Sequence, residues 1–211
     1  MSRFVKRVGD RVAAVVLLVL LSPLLAVIAV WILVDSGRPA ILAQDRAGKG
    51  GVTFRMLKFR TMVKDALARA SEVTDDPFGV VENDPRVTRP GRFLRRTGLD
   101  ELPQLWNVLR GQMSLVGPRP DLVEQAAHYS EHDRRRLAVL PGITGWSQVS
   151  GRESIGWPER IEQDIWYIDH WSLRLDLRIV FRTFAEIGRS GEQPVEDTMN
   201  IERAREKAGS R

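Results

Sequence analysis

The sequence predicts a helix-rich α/β fold of the α+β type, with one small sheet and an N-terminal attachment to a membrane. Three observations support this fold class. Residues 12–34 form an almost unbroken apolar run, residues 52–62 are rich in β-branched and aromatic side chains, and several later segments show helical apolar periodicity. We expect a membrane segment over residues 1–38, a folded domain over residues 39–190 and a polar tail over residues 191–211.

The composition excludes some classes of protein and favours an anionic partner. The 211 residues include 43% apolar residues, too many for a wholly disordered chain. No cysteine is present, which excludes a disulfide framework, a thiolate metal site and a cysteine nucleophile. The net charge of +5 indicates nucleic acid, an anionic membrane or a phosphorylated substrate as partner. The excess of arginine, 27 against 5 lysines, is explained equally well by GC-rich coding.

The apolar run is long enough to enter a bilayer. Its 23 residues would make a straight helix of about 34 Å. The apolar region of a secretory signal peptide is shorter and is followed by small residues, whereas this run ends in Trp-Ile-Leu-Val. We therefore expect a retained membrane helix.

Ser22 and Pro23 interrupt the run near its middle and predict a break. Proline removes one backbone donor, and a serine hydroxyl can bond to the backbone that proline leaves unpaired. Basic residues flank the run on both sides, so the positive-inside rule does not choose an orientation. From the residues alone, a helix that re-enters on the same side and a kinked single-pass helix both stay open.

After the membrane segment, short elements are predicted in sequence order. Residues 40–44 are apolar, and residues 45–51 read as a loop that lacks the spacing of a phosphate-binding P-loop. Residues 52–62 predict a strand or a strand pair. A helix over residues 64–71 and a loop over residues 72–90 follow.

The next block predicts a basic helix and then a second helix. Arginines recur at helical spacing from residue 89 to residue 96, which suits an anionic membrane, a diphosphate or solvent. Apolar residues at positions 102, 105, 106 and 109 predict a helix with Asp100 as N-cap, Glu101 in the first turn and Gly111 at the C-terminal end. Asp100 and Glu101 could cap the helix, hold Mg²⁺ together with substrate phosphates, or attack phosphorus.

Four further segments complete the pattern. Pro118, Arg119 and Pro120 predict a rigid loop that presents one cation. Residues 128–132 match the H-x-x-E-H zinc pattern, which is weak support for a zinc hydrolase, and residues 133–136 read as an exposed charged stretch. Residues 158–171 and 173–187 predict two helices, and we expect amphipathic helices at the membrane surface.

Taken together, these motifs resemble the bacterial sugar transferase family, the monotopic phosphoglycosyl transferases. The resemblance is carried by KFRTM at residues 58–62, NDPR at 83–86, the block 90–120, PGITGWSQVSGR at 141–152 and DIWYIDHWSLRLD at 164–176. It runs from the membrane segment to about residue 187 and is similar to the short form of the family. Ser150 is a small departure, because many members have asparagine there.

The resemblance implies a reaction. Family members transfer a sugar 1-phosphate from a UDP-sugar to undecaprenyl phosphate and release UMP. By this likeness Asp100 is the nucleophile that forms an aspartyl-phosphosugar, and Glu101 assists through Mg²⁺ or proton transfer. The resemblance also places Asp100 and Glu101 at the metal, and it selects the re-entrant helix broken at Ser22 and Pro23. Ping-pong kinetics are expected.

The same resemblance assigns the remaining site residues and the partners. Pro118, Arg119 and Pro120 are expected near the uridine. The residues expected to contact phosphates or to lie near the site are Lys58, Arg86, Arg152 and Asp169. The resemblance implies the bacterial inner membrane, with the catalytic domain on the cytoplasmic face and in contact with lipid. No RNA-binding motif is visible, so no nucleic-acid partner is expected; a homodimer and a membrane-tethered binding protein without catalysis stay open, and the sugar is not identified.

Overall fold

A computed structural model describes residues 3–66, 68–69, 84–150 and 156–187. Within these ranges, eight α-helices and four short strands are arranged along the chain. They are α1 (Arg3–Ser36), β1 (Ile41–Ala47), β2 (Thr53–Phe59), α2 (Arg89–Thr97), α3 (Gln104–Leu109), β3 (Ser114–Val116), α4 (Val123–Ala127), α5 (Glu131–Arg134), β4 (Gly142–Thr144), α6 (Trp146–Ser150), α7 (Trp157–Asp169) and α8 (Leu173–Ile187). The helix-rich α/β fold is the predicted one, although the strands form two small sheets instead of one. The helix predicted over residues 64–71 is not found in its described part, because residues 64–66 and 68–69 form turns; residues 67, 70 and 71 lie outside the described residues.

Helix α1 is helical throughout its 34 residues, with Pro23 inside it. The chain therefore stays helical through Ser22 and Pro23, and the change of direction predicted there stays a prediction. The physical reason for the continuous helix lies in the hydrogen bond that proline cannot make, which would run to the carbonyl of Val19 four residues earlier. Ser22 Oγ donates to that carbonyl oxygen at 2.8 Å, so the unpaired acceptor is satisfied.

Strands β1 and β2 form an antiparallel hairpin, in register from Ile41 opposite Phe59 to Ala47 opposite Thr53. The sequence predicted a loop from residue 45, but β1 extends to Ala47. The turn itself is a 3-10 segment, Lys49–Gly51, in which both glycines have positive φ angles. Side chains other than glycine rarely adopt that conformation, which explains why the glycine-rich segment turns here.

The apolar core is divided into clusters, and α1 belongs to two of them. Ala14 packs with Phe54 and Met56 of β2 and with residues of α3, and Leu17, Leu18 and Leu21 cover this cluster. On the other side of Pro23, Ile28 and Ile32 pack with Phe59 and Leu94. The opposite face of α1 is exposed and apolar. Two further clusters lie around α7 and β3.

Both ends of α1 are bonded to the domain by polar groups. Near the start, Lys6 Nζ lies 2.7 Å from Asp176 Oδ2 of α8. At the C-terminal end, the guanidinium of Arg60 donates to the carbonyl oxygens of Ser36, at 2.7 Å, and of Gly37. These carbonyls lie at the negative end of the helix dipole, where a cation is favoured. Helix α1 is thus held along its whole length.

Candidate active site

Two adjacent buried carboxylates lie in the short connection between α2 and α3. Gly98 ends α2 in the left-handed conformation and donates its N–H to the carbonyl of Arg95. The chain then turns through a 3-10 segment that carries Asp100 and Glu101, which are 7% and 8% exposed. Gly98 is the N-cap of this turn and Pro103 is the N-cap of α3, so the prediction that Asp100 caps the helix is wrong. Its carboxylate is therefore available for other contacts.

Cations from two other elements lie beside Glu101. Arg119 Nη1, in the loop after β3, is 2.9 Å from Glu101 Oε1. Lys58 Nζ, on β2, is 3.6 Å from the same oxygen. The structure thus brings together four of the residues that the sequence selected: Lys58, Asp100, Glu101 and Arg119.

The buried carboxylate of Asp100 lacks a hydrogen bond at one of its two oxygens. Its Oδ1 atom has no hydrogen-bond partner among the described residues. Burial, and after it the negative charge of Glu101, raise the pKa of Asp100 to about 6. The positive charges of Lys58, Arg119 and Arg95 oppose the shift. Asp100 is consequently ionised at neutral pH, but it is poorly stabilised as an anion, which is the condition of a reactive carboxylate.

The carboxylate pair is chemically suited to Mg²⁺. This ion prefers oxygen ligands and is commonly held by one or two carboxylates together with substrate phosphates. The unpartnered Oδ1 of Asp100 is one such ligand, and the carboxylate of Glu101 is adjacent. Within the described ranges, no group of three or more His, Cys, Asp or Glu side chains is arranged to hold a metal ion.

The loop that carries Arg119 is fixed by a close backbone packing that requires glycine. Strand β3 pairs in parallel with β4, and the N–H of Gly142 donates to the carbonyl of Pro118 at 2.8 Å. A Cβ atom on Gly142 would lie 2.1 Å from the backbone nitrogen of Gly117, and one on Gly145 would lie 2.3 Å from the oxygen of Gly117. The glycines of the 141–152 motif therefore allow the two segments to touch.

A network of buried polar side chains supports the same loop from the protein interior. Arg136 Nη2 donates to the carbonyl of Arg119 at 3.0 Å, and Arg136 Nε donates to Asp164 Oδ2 at 2.6 Å. Its Nη1 contacts Asp121 and donates to Tyr129 Oη at 2.9 Å. Ser147 Oγ donates to the second oxygen of Asp164 at 2.7 Å. We call Asp121, Tyr129, Arg136, Ser147 and Asp164 the buried network.

Sequence reasoning missed the buried network because it took residues 133–136 for an exposed stretch. Arg136 is 2% exposed, although Arg134 and Arg135 are exposed. One signal was present on α7, where Asp164 falls on the apolar stripe between Ile161 and Ile165. A carboxylate in such a stripe is rarely buried without a partner. Burial raises the pKa of Asp164, and the charge of Arg136 opposes this shift.

Other residues selected from the sequence are not among the contacts of the Asp100–Glu101 pair that are described above. Arg86 is 1% exposed and donates through Nε and Nη2 to both oxygens of Asp84, at 2.7–3.1 Å. Burial raises the pKa of Asp84, but the hydrogen bonds from Arg86 outweigh this and lower it. Asp169 is exposed and pairs with Arg135 at 2.8 Å. Arg152 lies outside the described residues.

The Pro118–Pro120 loop and the weak zinc pattern were also selected from the sequence. Pro118 and Pro120 are buried on either side of Arg119, and the carbonyl of Pro120 accepts a hydrogen bond from Arg46 Nη1 at 3.2 Å. His132, part of the weak zinc pattern, is exposed and lies 2.8 Å from Glu162. An exposed pair of this kind does not resemble a metal centre.

A long apolar helix bound to a small domain is typical of a membrane-associated protein, and a buried carboxylate pair beside cations is a candidate site for a phosphate-bearing ligand. Helix α1 is long and apolar enough to cross a bilayer, with a mean hydropathy of 3.0 in its most apolar stretch. The chain belongs to the bacterial sugar transferase family, whose pattern it matches over residues 1–190.

Individual relatives agree with this family. The chain is 42% identical over 195 residues to the UDP-galactose-lipid carrier transferase of Erwinia amylovora, covering 88% of this chain and 41% of that protein. It is 42% identical to the undecaprenyl-phosphate galactose phosphotransferase of Salmonella typhimurium, covering 86% and 40%. An uncharacterized sugar transferase of Bacillus subtilis is 40% identical, covering 86% of both chains. The chain thus spans about two fifths of the length of the first two relatives.

The raised pKa of Asp100 predicts a stability that depends on pH. The folded protein holds this proton more tightly than the unfolded chain, so the free energy of unfolding falls as pH rises from about 4 to about 6. A shift of about two pKa units corresponds to roughly 3 kcal/mol. We expect Asp100→Asn to raise Tm by several degrees at pH 7.5, with about half that gain at pH 5.

This comparison is made by thermal denaturation of the purified chain in detergent, with Asp169→Asn as control. The carboxylate of Asp169 is exposed, so its replacement should give no gain that grows with pH. A gain from Asp100→Asn that is equal at both pH values would contradict the prediction.

The buried network predicts opposite outcomes for two neighbouring arginines. Arg136→Gln leaves Asp121 and Asp164 buried without their cation, which costs about 3–5 kcal/mol and should lower Tm by at least about 6 °C. Arg135→Gln removes only an exposed pair, worth about 0–1 kcal/mol. Differential scanning fluorimetry of both variants checks this, and equal losses would show that the buried network does not support the fold.

Proposed function

We propose that this chain transfers a sugar 1-phosphate from a UDP-sugar to undecaprenyl phosphate, with release of UMP, through a covalent phosphosugar on Asp100. One observation carries the proposal: a buried aspartate oxygen without a partner lies next to Glu101 and to the cations of Lys58 and Arg119. The names of two relatives, from Salmonella typhimurium and Escherichia coli, contain the same acceptor, undecaprenyl phosphate.

In the first step a carboxylate oxygen of Asp100 attacks the β-phosphorus of the UDP-sugar. A new bond forms between this oxygen and phosphorus, the bond from phosphorus to the bridging oxygen breaks, and UMP leaves with the electron pair. Negative charge moves toward the bridging oxygen as that bond breaks, and cations at fixed positions stabilise it. Arg119 and Lys58, which face Glu101 without substrate, supply these charges to the diphosphate.

In the second step a phosphate oxygen of undecaprenyl phosphate attacks the same phosphorus. The bond to Asp100 breaks, the carboxylate is regenerated, and the product is a lipid-linked diphosphosugar. The two substrates use one site in turn, so no complex that contains both is needed. A carboxylate that is poorly stabilised as an anion suits both directions, because it is a good nucleophile and then part of a labile acyl phosphate.

Asp100 and Glu101 are the residues that would hold Mg²⁺ in this proposal. When bound, the ion neutralises phosphate charge. The contribution of the chain is to bury the two carboxylates, which excludes water from Asp100 and keeps the oxygen of Glu101 oriented toward Arg119. Arg86, Arg152 and Asp169 stay predictions as phosphate or substrate contacts.

We further propose that α1 enters the membrane from one side and returns to the same side. Its start is bonded to Asp176 and its end to Arg60, and both partners belong to one domain. Since a single-pass helix would separate its two ends by about 30 Å of hydrocarbon, one domain could not bond to both. The exposed apolar face of α1 then lies in lipid, at the cytoplasmic face of the inner membrane, where a soluble nucleotide sugar and a lipid phosphate can meet.

The covalent step is tested without the acceptor. We expect purified chain, Mg²⁺ and the correct UDP-sugar to exchange labelled UMP into the UDP-sugar in the absence of undecaprenyl phosphate. Asp100→Asn should lose exchange and turnover by at least about 10³-fold, whereas Asp45→Asn, an exposed carboxylate, should keep both. Turnover that requires both substrates, with no exchange at all, would refute the intermediate; no turnover from folded protein with a full panel of UDP-sugars would favour a membrane-tethered binding protein.

The topology is tested with single cysteines, because the chain contains none. Val8→Cys and Arg38→Cys place one thiol at each exposed end of α1. We expect a membrane-impermeant maleimide to label both in inverted inner-membrane vesicles and neither in right-side-out vesicles. Labelling of the two positions from opposite sides would show that α1 spans the membrane.

A further inference from the structure

A second group of cations surrounds an open groove at the start of α1. The groove is a shallow surface feature, open to solvent, and lies between α1, the β1–β2 turn, β3 and the end of α7. Its cations are Arg3, Lys6, Arg7 and Lys49. Neither Lys58 nor Arg119 is among the described residues that line it. We call it the α1 groove, and it is separate from the Asp100–Glu101 pair.

The walls of the α1 groove are mainly apolar. They include Val116 on β3, Leu140 before β4, and Ile168 and Trp171 around the end of α7. A small hydrophilic anion gains nothing from such walls, whereas an alkyl chain would displace water from them. The groove therefore offers two kinds of surface to one ligand: cations at its edge and apolar side chains along its walls.

Three of the four cations have charge that the described protein does not neutralise. Lys6 is paired with Asp176, at 2.7 Å, and with Asp10, at 3.5 Å. Among the residues that the structure describes, Arg3 donates to the carbonyl of Ile168, at 3.4 Å, and to no carboxylate. Arg7 and Lys49 are exposed and form no ion pair within the described ranges. A ligand in the groove would thus meet a net positive field.

The position of the groove along α1 puts it at the membrane surface. The apolar run begins at Val12, five residues after Arg7, which is about 7.5 Å along a helix. Cations just outside an apolar segment lie at the level of lipid headgroups, and tryptophan is common there. Trp171, half-buried in the wall, fits this level.

We propose that the α1 groove binds one anionic phospholipid of the surrounding bilayer. The lipid phosphate lies among Arg3, Arg7 and Lys49, and one acyl chain lies along Val116, Leu140 and Trp171. The bound lipid joins the start of α1 to the β1–β2 turn and to α7, and so adds to the Lys6–Asp176 bond. This site does not depend on the phosphosugar chemistry proposed for Asp100.

The test is native mass spectrometry of the full-length chain, delipidated in a neutral detergent and titrated with dioleoyl phosphatidylglycerol. We expect one adduct that saturates. Arg7→Gln with Lys49→Gln should weaken it by about tenfold or more, since each cation near an anionic lipid contributes on the order of fivefold. The matched control, Arg92→Gln with Arg96→Gln, removes the same charge from exposed positions of α2 and should change the affinity by less than twofold.

A second variant tests whether the space of the groove is needed, because it leaves the cations unchanged. Ala138, an exposed residue that lines the groove, is replaced in Ala138→Trp, which fills the space without removing a cation. We expect this variant to lose the adduct while its Tm stays within a few degrees of wild type. Asp100→Asn should keep the adduct, so failure of the catalytic proposal and failure of this one are distinguishable.

Three other ligands test whether the groove recognises the net charge of the lipid, its acyl chain, or a different lipid phosphate. Dioleoyl phosphatidylcholine should bind at least about tenfold more weakly, because the three cations select net negative charge; equal binding would overturn the proposal. Inorganic phosphate that displaces the lipid at equal concentration would show that the apolar walls are not used. Displacement by undecaprenyl phosphate at equal or lower concentration than phosphatidylglycerol would assign the groove to the acceptor substrate and overturn the proposal as well.

Discussion

The burial of two adjacent carboxylates is the constraint on which the arrangement of this domain depends. Asp100 and Glu101 repel each other in a place from which water is nearly excluded. Such a pair is tolerated only if cations are held at fixed distances from it. Arg119 is one of these cations, and its loop is fixed by the glycine contacts between β3 and β4 and by the hydrogen bond from Arg136. The buried network therefore helps to fix the position of Arg119, whose charge lies outside the network.

Arginine acts in the interior of this protein as much as on its surface. Arg46, Arg60, Arg86 and Arg136 are all buried. All four donate to main-chain carbonyls: Arg46 to Pro120, Arg60 to Ser36, Arg86 to Ala66 and Arg136 to Arg119. A guanidinium carries five donors in a fixed plane, so it can bind a carboxylate and a carbonyl together. The basic composition thus has a structural cause beside its anionic ligands.

The sequence predicted most of the elements because their signals are local. The apolar run, the basic helix α2 and the periodic helices α7 and α8 are read from neighbouring residues, and the structure has them. The caps and the network were not predictable in this way. Whether Asp100 or Gly98 caps the turn depends on how α2 ends, and the burial of Arg136 depends on Asp121 and Asp164, which are distant in sequence. The meeting of Lys58 with Glu101 was inferred from a family likeness, not from spacing.

Helix α1 shares its apolar clusters with the hairpin and with α2, and this has a consequence for how the protein folds. Phe54, Met56, Phe59 and Leu94 are covered by side chains of α1. A chain cut before residue 38 would expose these side chains to water, an aggregation-prone surface, instead of yielding a smaller aqueous enzyme. The hairpin and α2 therefore bury their apolar side chains only when α1 packs on them, so folding of the domain and docking of α1 are one event.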